Sequence, residues 1–121
     1  MYNKVFLIGR LGRDPETFYT QQGSKVVKFN LATTEYYNQK EQTEWHNIVV
    51  FGKIADSCAQ YLQKGSLVFI EGKLHTRKWQ DNQGNNRYIT EIIAQSVKFL
   101  TPKNKTGTNE QETPQEDDAP F

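Results

Sequence analysis

Read from its N-terminus, the chain first shows an apolar run, Val5-Phe6-Leu7-Ile8, closed by Gly9. Four apolar neighbours without alternation predict a strand buried on both faces. Asp14-Pro15 and Gln21-Gln22-Gly23 then mark turns. From Val26 to Thr34 the pattern alternates. Val27, Phe29 and Leu31 share one side and Lys28, Asn30 and Ala32 the other, which is the period of a second strand. Asn38–Gln42 reads as a polar loop and Trp45–Phe51 as a third strand. The period then changes. Ile54, Cys58, Tyr61 and Leu62 stand at helical spacing, which predicts one helix over Ile54–Leu62 with Gly65 as its stop. Ser66–Trp79 is a long fourth strand, Asp81–Asn86 a hairpin tip around Gly84, and Arg87–Leu100 the fifth strand. Phe29 and Phe69 are assigned to the core.

Five strands with a helix between the third and fourth follow the order of an OB fold, an all-β Greek-key barrel that binds oligonucleotides on one face and in its loops. Residues 1–100 form this domain. Every Val, Ile and Leu lies at or before Leu100. Residues 101–121 are rich in Thr, Asn, Gln, Glu, Lys and Pro, cannot bury enough apolar surface to offset the entropy of ordering, and are expected to be disordered.

Charge divides the chain at the same place. Residues 1–100 carry 13 Lys/Arg and 9 Asp/Glu, whereas residues 101–121 carry 2 Lys and 5 acids. The overall charge of +1 therefore hides a basic body and an acidic tail. The tail's one aromatic, Phe121, follows Asp117, Asp118, Ala119 and Pro120. This reads as a docking peptide for protein partners. No apolar run approaches the ~20 residues of a membrane span. The N-terminus lacks signal-peptide form. The single Cys58 excludes an internal disulfide, so a reducing cytoplasm is expected.

In the body, aromatics are interleaved with cations at strand ends. Tyr36-Tyr37 ends the second strand, Trp45 opens the third, and Phe51 closes it just before Lys53. Arg77-Lys78-Trp79 ends the fourth, and Arg87-Tyr88 opens the fifth. Single-stranded nucleic acid calls for this mixture. Its bases stack on aromatic rings, each contributing about 1–3 kcal/mol with little regard to base identity. Its phosphates need cations, and counterion release makes that contribution salt-dependent. Reading a duplex would need a helix or ribbon carrying base-edge donors, but the one helix carries Asp56, Ser57 and Gln60 on its polar side. Nothing argues for an enzyme: Cys58, His46 and His75 show no zinc spacing, and there is no Walker sequence. No catalytic residue, metal or cofactor is expected. An RNA-binding OB module of the chaperone type is the main alternative, and the acidic tip weighs against it.

Several motifs taken together resemble the bacterial single-stranded DNA-binding proteins over essentially the whole chain. They are Asn3-Lys4-Val5 through Gly9-Arg10-Leu11-Gly12 with Asp14-Pro15-Glu16; Leu31-Ala32-Thr33; Glu41-Gln42-Thr43-Glu44-Trp45-His46; Phe51-Gly52-Lys53; Tyr61-Leu62 with Lys64-Gly65-Ser66; Ile70-Glu71-Gly72; Thr76-Arg77-Lys78-Trp79; and the acidic Pro-Phe tip. The resemblance implies base stacking on Tyr37, Trp45, Phe51 and Trp79. It implies phosphate contacts at Lys40, Lys53, Lys64, Arg77, Lys78 and Arg87. It also implies a homotetramer with Val5 and His46 at subunit contacts. The tip Asp117, Asp118, Ala119, Pro120 and Phe121 would dock replication, repair and recombination proteins, and the protein would be nucleoid-associated. A phage, plasmid or competence-associated paralogue fits the same motifs. Four positions depart from well-known relatives. Tyr37 stands in place of Trp, Asn47 in place of an Arg, the loop before Glu44 is shorter, and Ala119 replaces a larger aliphatic residue.

Overall fold

Residues 1–101 are described by a computed structural model. Their elements are β1 (Val5–Leu11), β2 (Glu16–Tyr19), β3 (Lys25–Tyr37), β4 (Lys40–Phe51), α1 (Lys53–Tyr61), β5 (Leu67–Gln80) and β6 (Asn86–Phe99). Five strands follow one another in the order β1-β5-β6-β4-β3, and β3 pairs back onto β1 to close the ring. The closing pairs are Arg10 with Ala32 and Leu11 with Leu31. Gly9 makes that closure possible, because a Cβ there would collide with the Ala32 carbonyl. The β4–β6 pairing is parallel and every other pairing is antiparallel. This is the expected OB barrel, with α1 between its third and fourth barrel strands.

The core follows the alternation read from the sequence. Val27, Phe29 and Leu31 of β3 meet Ile48 and Val50 of β4, Val68 and Ile70 of β5, and Ile92 and Ala94 of β6. Ala55 and Cys58 of α1, with Leu62 just after it, complete the cluster. Burying a side chain of this size contributes about 1.5–3 kcal/mol. The acidic side of α1 turns outward, where Asp56 pairs with Lys25 at 3.0 Å.

Several expectations need correction. In this chain β1 is buried on one face only. Val5 and Leu7 pack on the core, while Phe6 and Ile8 are exposed on the far side. Phe69 belongs to that outer face, half-buried, with its ring centroid 6.3 Å from that of Phe6. The helix begins and ends one residue earlier than expected. Leu62, in extended conformation, is its C-cap, and Gly65 lies in the following turn. The polar loop Asn38–Gln42 is mostly strand. Only Asn38 and Gln39 turn, both with positive φ, and Tyr37 pairs directly with Lys40. Two left-handed residues match the twist of a tight hairpin. The outer part of this hairpin is wet on both faces, so it carries no hydrophobic period to read.

The short strand β2, paired with β3 outside the ring, was not expected. At the other end of the barrel, the Leu100 amide donates to the Leu67 carbonyl and the Leu67 amide to Thr101 Oγ1. The expectations for residues 102–121, including Asp117–Phe121, lie outside the described residues.

Candidate nucleic-acid interface

Strand alternation sorts the side chains of the barrel wall into two sets. On β4, His46, Ile48 and Val50 share the core side, and Trp45, Asn47, Val49 and Phe51 share the outer side. On β5 and β6 the outer side carries His75, Arg77 and Trp79 opposite Glu91, Ile89 and Arg87. Because β4 and β6 are neighbours, these two outer rows form one continuous face. Trp45, Phe51 and Trp79 therefore lie on the same face of the barrel. Each is roughly half-exposed, at 58%, 48% and 45%. Rings this open add little to the core and leave a π-surface for a ligand.

Trp45 is held from behind. The benzo half of its indole rests on Gly12, where any side chain would displace it. Gly12, Arg13, Asn30 and Trp45 line a hollow of about 310 Å³. Arg13 and Asn30 also belong to a neighbouring cleft of about 190 Å³ that runs past Lys28 and Asn47 to Arg77 and Glu91. The floor between them is polar and ordered. Asn30 Nδ2 donates to Asn47 Oδ1 at 2.8 Å, and Arg13 Nη2 reaches Asn30 Oδ1 at 3.5 Å. Asn47 thus makes an internal amide pair with Asn30.

Two of the cations on this face are held by carboxylates. Arg77 makes a two-pronged contact with Glu91, Nη2 to Oε2 at 3.0 Å and Nε to Oε1 at 3.4 Å. Glu91 is buried, and its hydrogen bond raises the affinity of the Arg77 guanidinium for its proton. Arg87 Nε donates to Asp81 Oδ2 at 3.0 Å. Asp81 also accepts the Asn85 and Gln83 amides, both at 2.9 Å, and so organises the β5–β6 turn. These bonds hold its carboxyl below the usual range, the Asn85 amide being the largest cause. Arg87 is thereby fixed beside its cross-strand neighbour Trp79.

The remaining expected residues are more dispersed. Tyr37 is 68% exposed, but alternation puts it with Lys40 on the opposite face of the β3–β4 ribbon from Trp45. Tyr36, 78% exposed, is the tyrosine on the Trp45 side. Lys53 begins α1 directly after Phe51 and Gly52. The Lys64 amide is bound by Asp14 at 2.8 Å, in the turn before β5. Lys78 points to the opposite side of its strand from Trp79, paired with Tyr88. His46 is half-buried on the core side, with Nε2 2.8 Å from Thr33 Oγ1. Reading the residues alone missed Phe18 and Lys28 on the outer face, where the Lys28 ammonium stands 5.3 Å from the Phe18 ring centroid. The four residues of β2 are too few for alternation to be seen.

A family model, the single-strand binding protein family, matches residues 2–100. The chain belongs to the single-strand binding protein family. A member from Chlorobaculum tepidum, single-stranded DNA-binding protein 1, is 50% identical over 111 residues, covering 87% of this chain and 68% of that one. Among solved structures, the Plasmodium falciparum SSB in complex with ssDNA superposes with a TM-score of 0.77 at 41% identity, over 84% of this chain and 96% of the other. The match to the family model spans the barrel and every residue of the exposed aromatic face. Among the described residues no group of three His, Cys, Asp or Glu could hold a metal ion, and no helix is long and apolar enough to cross a membrane.

Proposed function

We propose that this chain coats single-stranded DNA without marked base preference, using the outer face that carries Trp45, Phe51 and Trp79. The observation that carries the reading is the placement of three half-exposed rings on one face among Arg13, Lys28, Arg77 and Arg87. Stacking on such rings tolerates any base, and the cations answer the phosphates. DNA is favoured over RNA by the relatives, whose names specify single-stranded DNA. Lys40, Lys53, Lys64 and Lys78 extend the phosphate path around the barrel, and Tyr37 adds a ring on the ribbon.

The protein serves replication, recombination and repair in this reading, in the cytoplasm and on the nucleoid, with no catalytic step. It works as a homotetramer. The exposed Phe6 and Ile8 supply an apolar strip on β1, Val5 lies on the same strand, and His46 lies on β4, whose neighbour β3 pairs with β1. The acidic tip Asp117–Phe121 recruits partner proteins, offering an apolar ring beside acidic side chains to a basic pocket. At low salt the tail competes with DNA for the basic body. A Debye length of about 10 Å at 0.1 M salt makes that competition fade as salt rises.

Titrating tryptophan fluorescence with poly-dT at several salt concentrations tests the central claim. Quenching is expected, with Trp45→Ala and Trp79→Ala each weakening binding by about 1–3 kcal/mol while remaining folded. A folded double variant that binds like the parent refutes the face. An equal or stronger affinity for oligo-rU would favour the RNA reading. Deleting Asp117–Phe121 should hold or raise affinity at low salt and abolish capture of replication or repair proteins. Light scattering at the 14.1 kDa monomer mass would reject the tetramer.

A further inference from the structure

We propose that Phe18, with Lys28 beside it, is a further base-stacking position that carries the aromatic track past Phe51 onto the short strand β2. The inference rests on single-strand binding by the outer face, as proposed above. Register places Phe18 opposite Val26, and Val26 opposite Phe51, so the three side chains form one row across β2, β3 and β4 on the outer side. Thr17, opposite Val27, takes the core side instead. Phe18 is 46% exposed, close to Phe51 at 48%, and forms no part of the core cluster. Two strand spacings, about 9.5 Å, separate it from Phe51.

Lys28 is the second observation. Its ammonium stands 5.3 Å from the Phe18 ring centroid, on the same outer face. Glu16 is its cross-strand neighbour, yet Lys28 enters no ion pair among the described residues. A cation within ~6 Å of a ring centroid is attracted by the π-quadrupole, and here it keeps a charge beside the ring in the free protein. An incoming strand offers a phosphate to Lys28 and a base to Phe18 together. The pair thus repeats, on a strand outside the closed ring, the ring-plus-cation unit formed by Trp79 and Arg87. Since β2 lies outside the barrel, this unit widens the face without altering the core.

The test uses the full chain and a dT oligomer of about 16 nucleotides, the upper site size of one OB fold. Phe18→Ala and Phe18→Leu should each lower affinity about 5- to 150-fold, and Phe18→Trp should match or exceed the parent. Lys28→Gln should reduce the slope of log affinity against log salt by about 0.7, the loss of one phosphate contact on a single strand. If Phe18→Leu binds like the parent, the ring serves packing and the proposal is overturned, whatever Phe18→Ala does to folding. If both Phe18 variants bind normally while Trp45→Ala binds weakly, Phe18 lies off the track and the face itself stands. If Trp45→Ala and Trp79→Ala also bind normally, the face fails and Phe18 with it. An unchanged salt slope for Lys28→Gln removes Lys28 from the unit.

Discussion

The benzo ring of Trp45 lies against Gly12 so closely that a methyl group built on Gly12 would stand 2.7 Å from Cη2. The glycine acts as a back wall, leaving the indole supported on one side and open on the other. Gly12→Ala should therefore push the indole out of its seat, because a side chain yields more readily than backbone. Altered tryptophan emission and several-fold weaker poly-dT binding are expected, with thermal stability changed by less than about 1 kcal/mol. Normal emission and affinity would show that Trp45 needs no such support.

The Arg77–Glu91 pair predicts opposite effects for its two members. Arg77→Ala leaves a buried carboxylate without its donor and should cost about 1–3 kcal/mol of stability in denaturant melts. Glu91→Gln keeps the shape and releases the guanidinium toward solvent. It should steepen the salt dependence of single-strand binding, by about 0.7 in slope if Arg77 gains a full phosphate contact. An unchanged slope would mean that Arg77 already meets phosphate while bound to Glu91.

Asp81 makes the β5–β6 turn sensitive to acid. Its folded carboxyl titrates below the ordinary 3.8, with the Asn85 amide as the largest cause and Arg87 a further one. A depressed carboxylate stabilises the turn above the unfolded value, and that contribution is lost as pH falls through the folded value. The amide resonances of Gln83 and Asn85 should thus hold steady near neutrality and shift together below about pH 4. In Asp81→Asn they should not respond over that range, and Trp79 and Arg87 should lose their fixed relation at every pH.

Burial alone pushes the Cys58 thiol up to about 12. The folded protein should resist alkylation at pH 8, and iodoacetamide should label it only as fast as the barrel opens. The raised value gives a sign for alkaline stability. The contribution is complete below the unfolded thiol range of about 8.5 and declines as pH rises toward 12. Rapid labelling of the native protein would place Cys58 at the surface rather than on the core-facing side of α1.

Burial governed what could be read in advance. Val27, Phe29 and Leu31 alternate because one side of β3 meets the core, and Ile54 and Cys58 keep helical spacing because α1 closes one end of that core. Where both faces of a strand are wet, as from Lys40 to Glu44, pairing leaves no periodic trace, and a hairpin looks like a loop. The run Val5–Ile8 misled in the opposite sense: Phe6 and Ile8 are apolar yet exposed in the single chain. At the site, composition pointed to Trp45, Phe51 and Trp79, which the fold does bring to one face. It could not show that Glu91 holds Arg77 or that Phe18 lines up with Phe51. Those relations depend on cross-strand register, which no single strand contains.

The two-residue turn at Asn38-Gln39 has an evolutionary consequence. It closes a ribbon whose outer residues touch nothing in the core, so additions there leave barrel register untouched. Once the tight turn is replaced by a longer loop, closure entropy grows only slowly with further length. Insertion and deletion at this point can therefore lengthen or shorten the reach of the ribbon at little risk to folding. On the proposed DNA-coating reading, a change of length at the tip is a nearly neutral means of altering how far the ribbon reaches toward a bound strand.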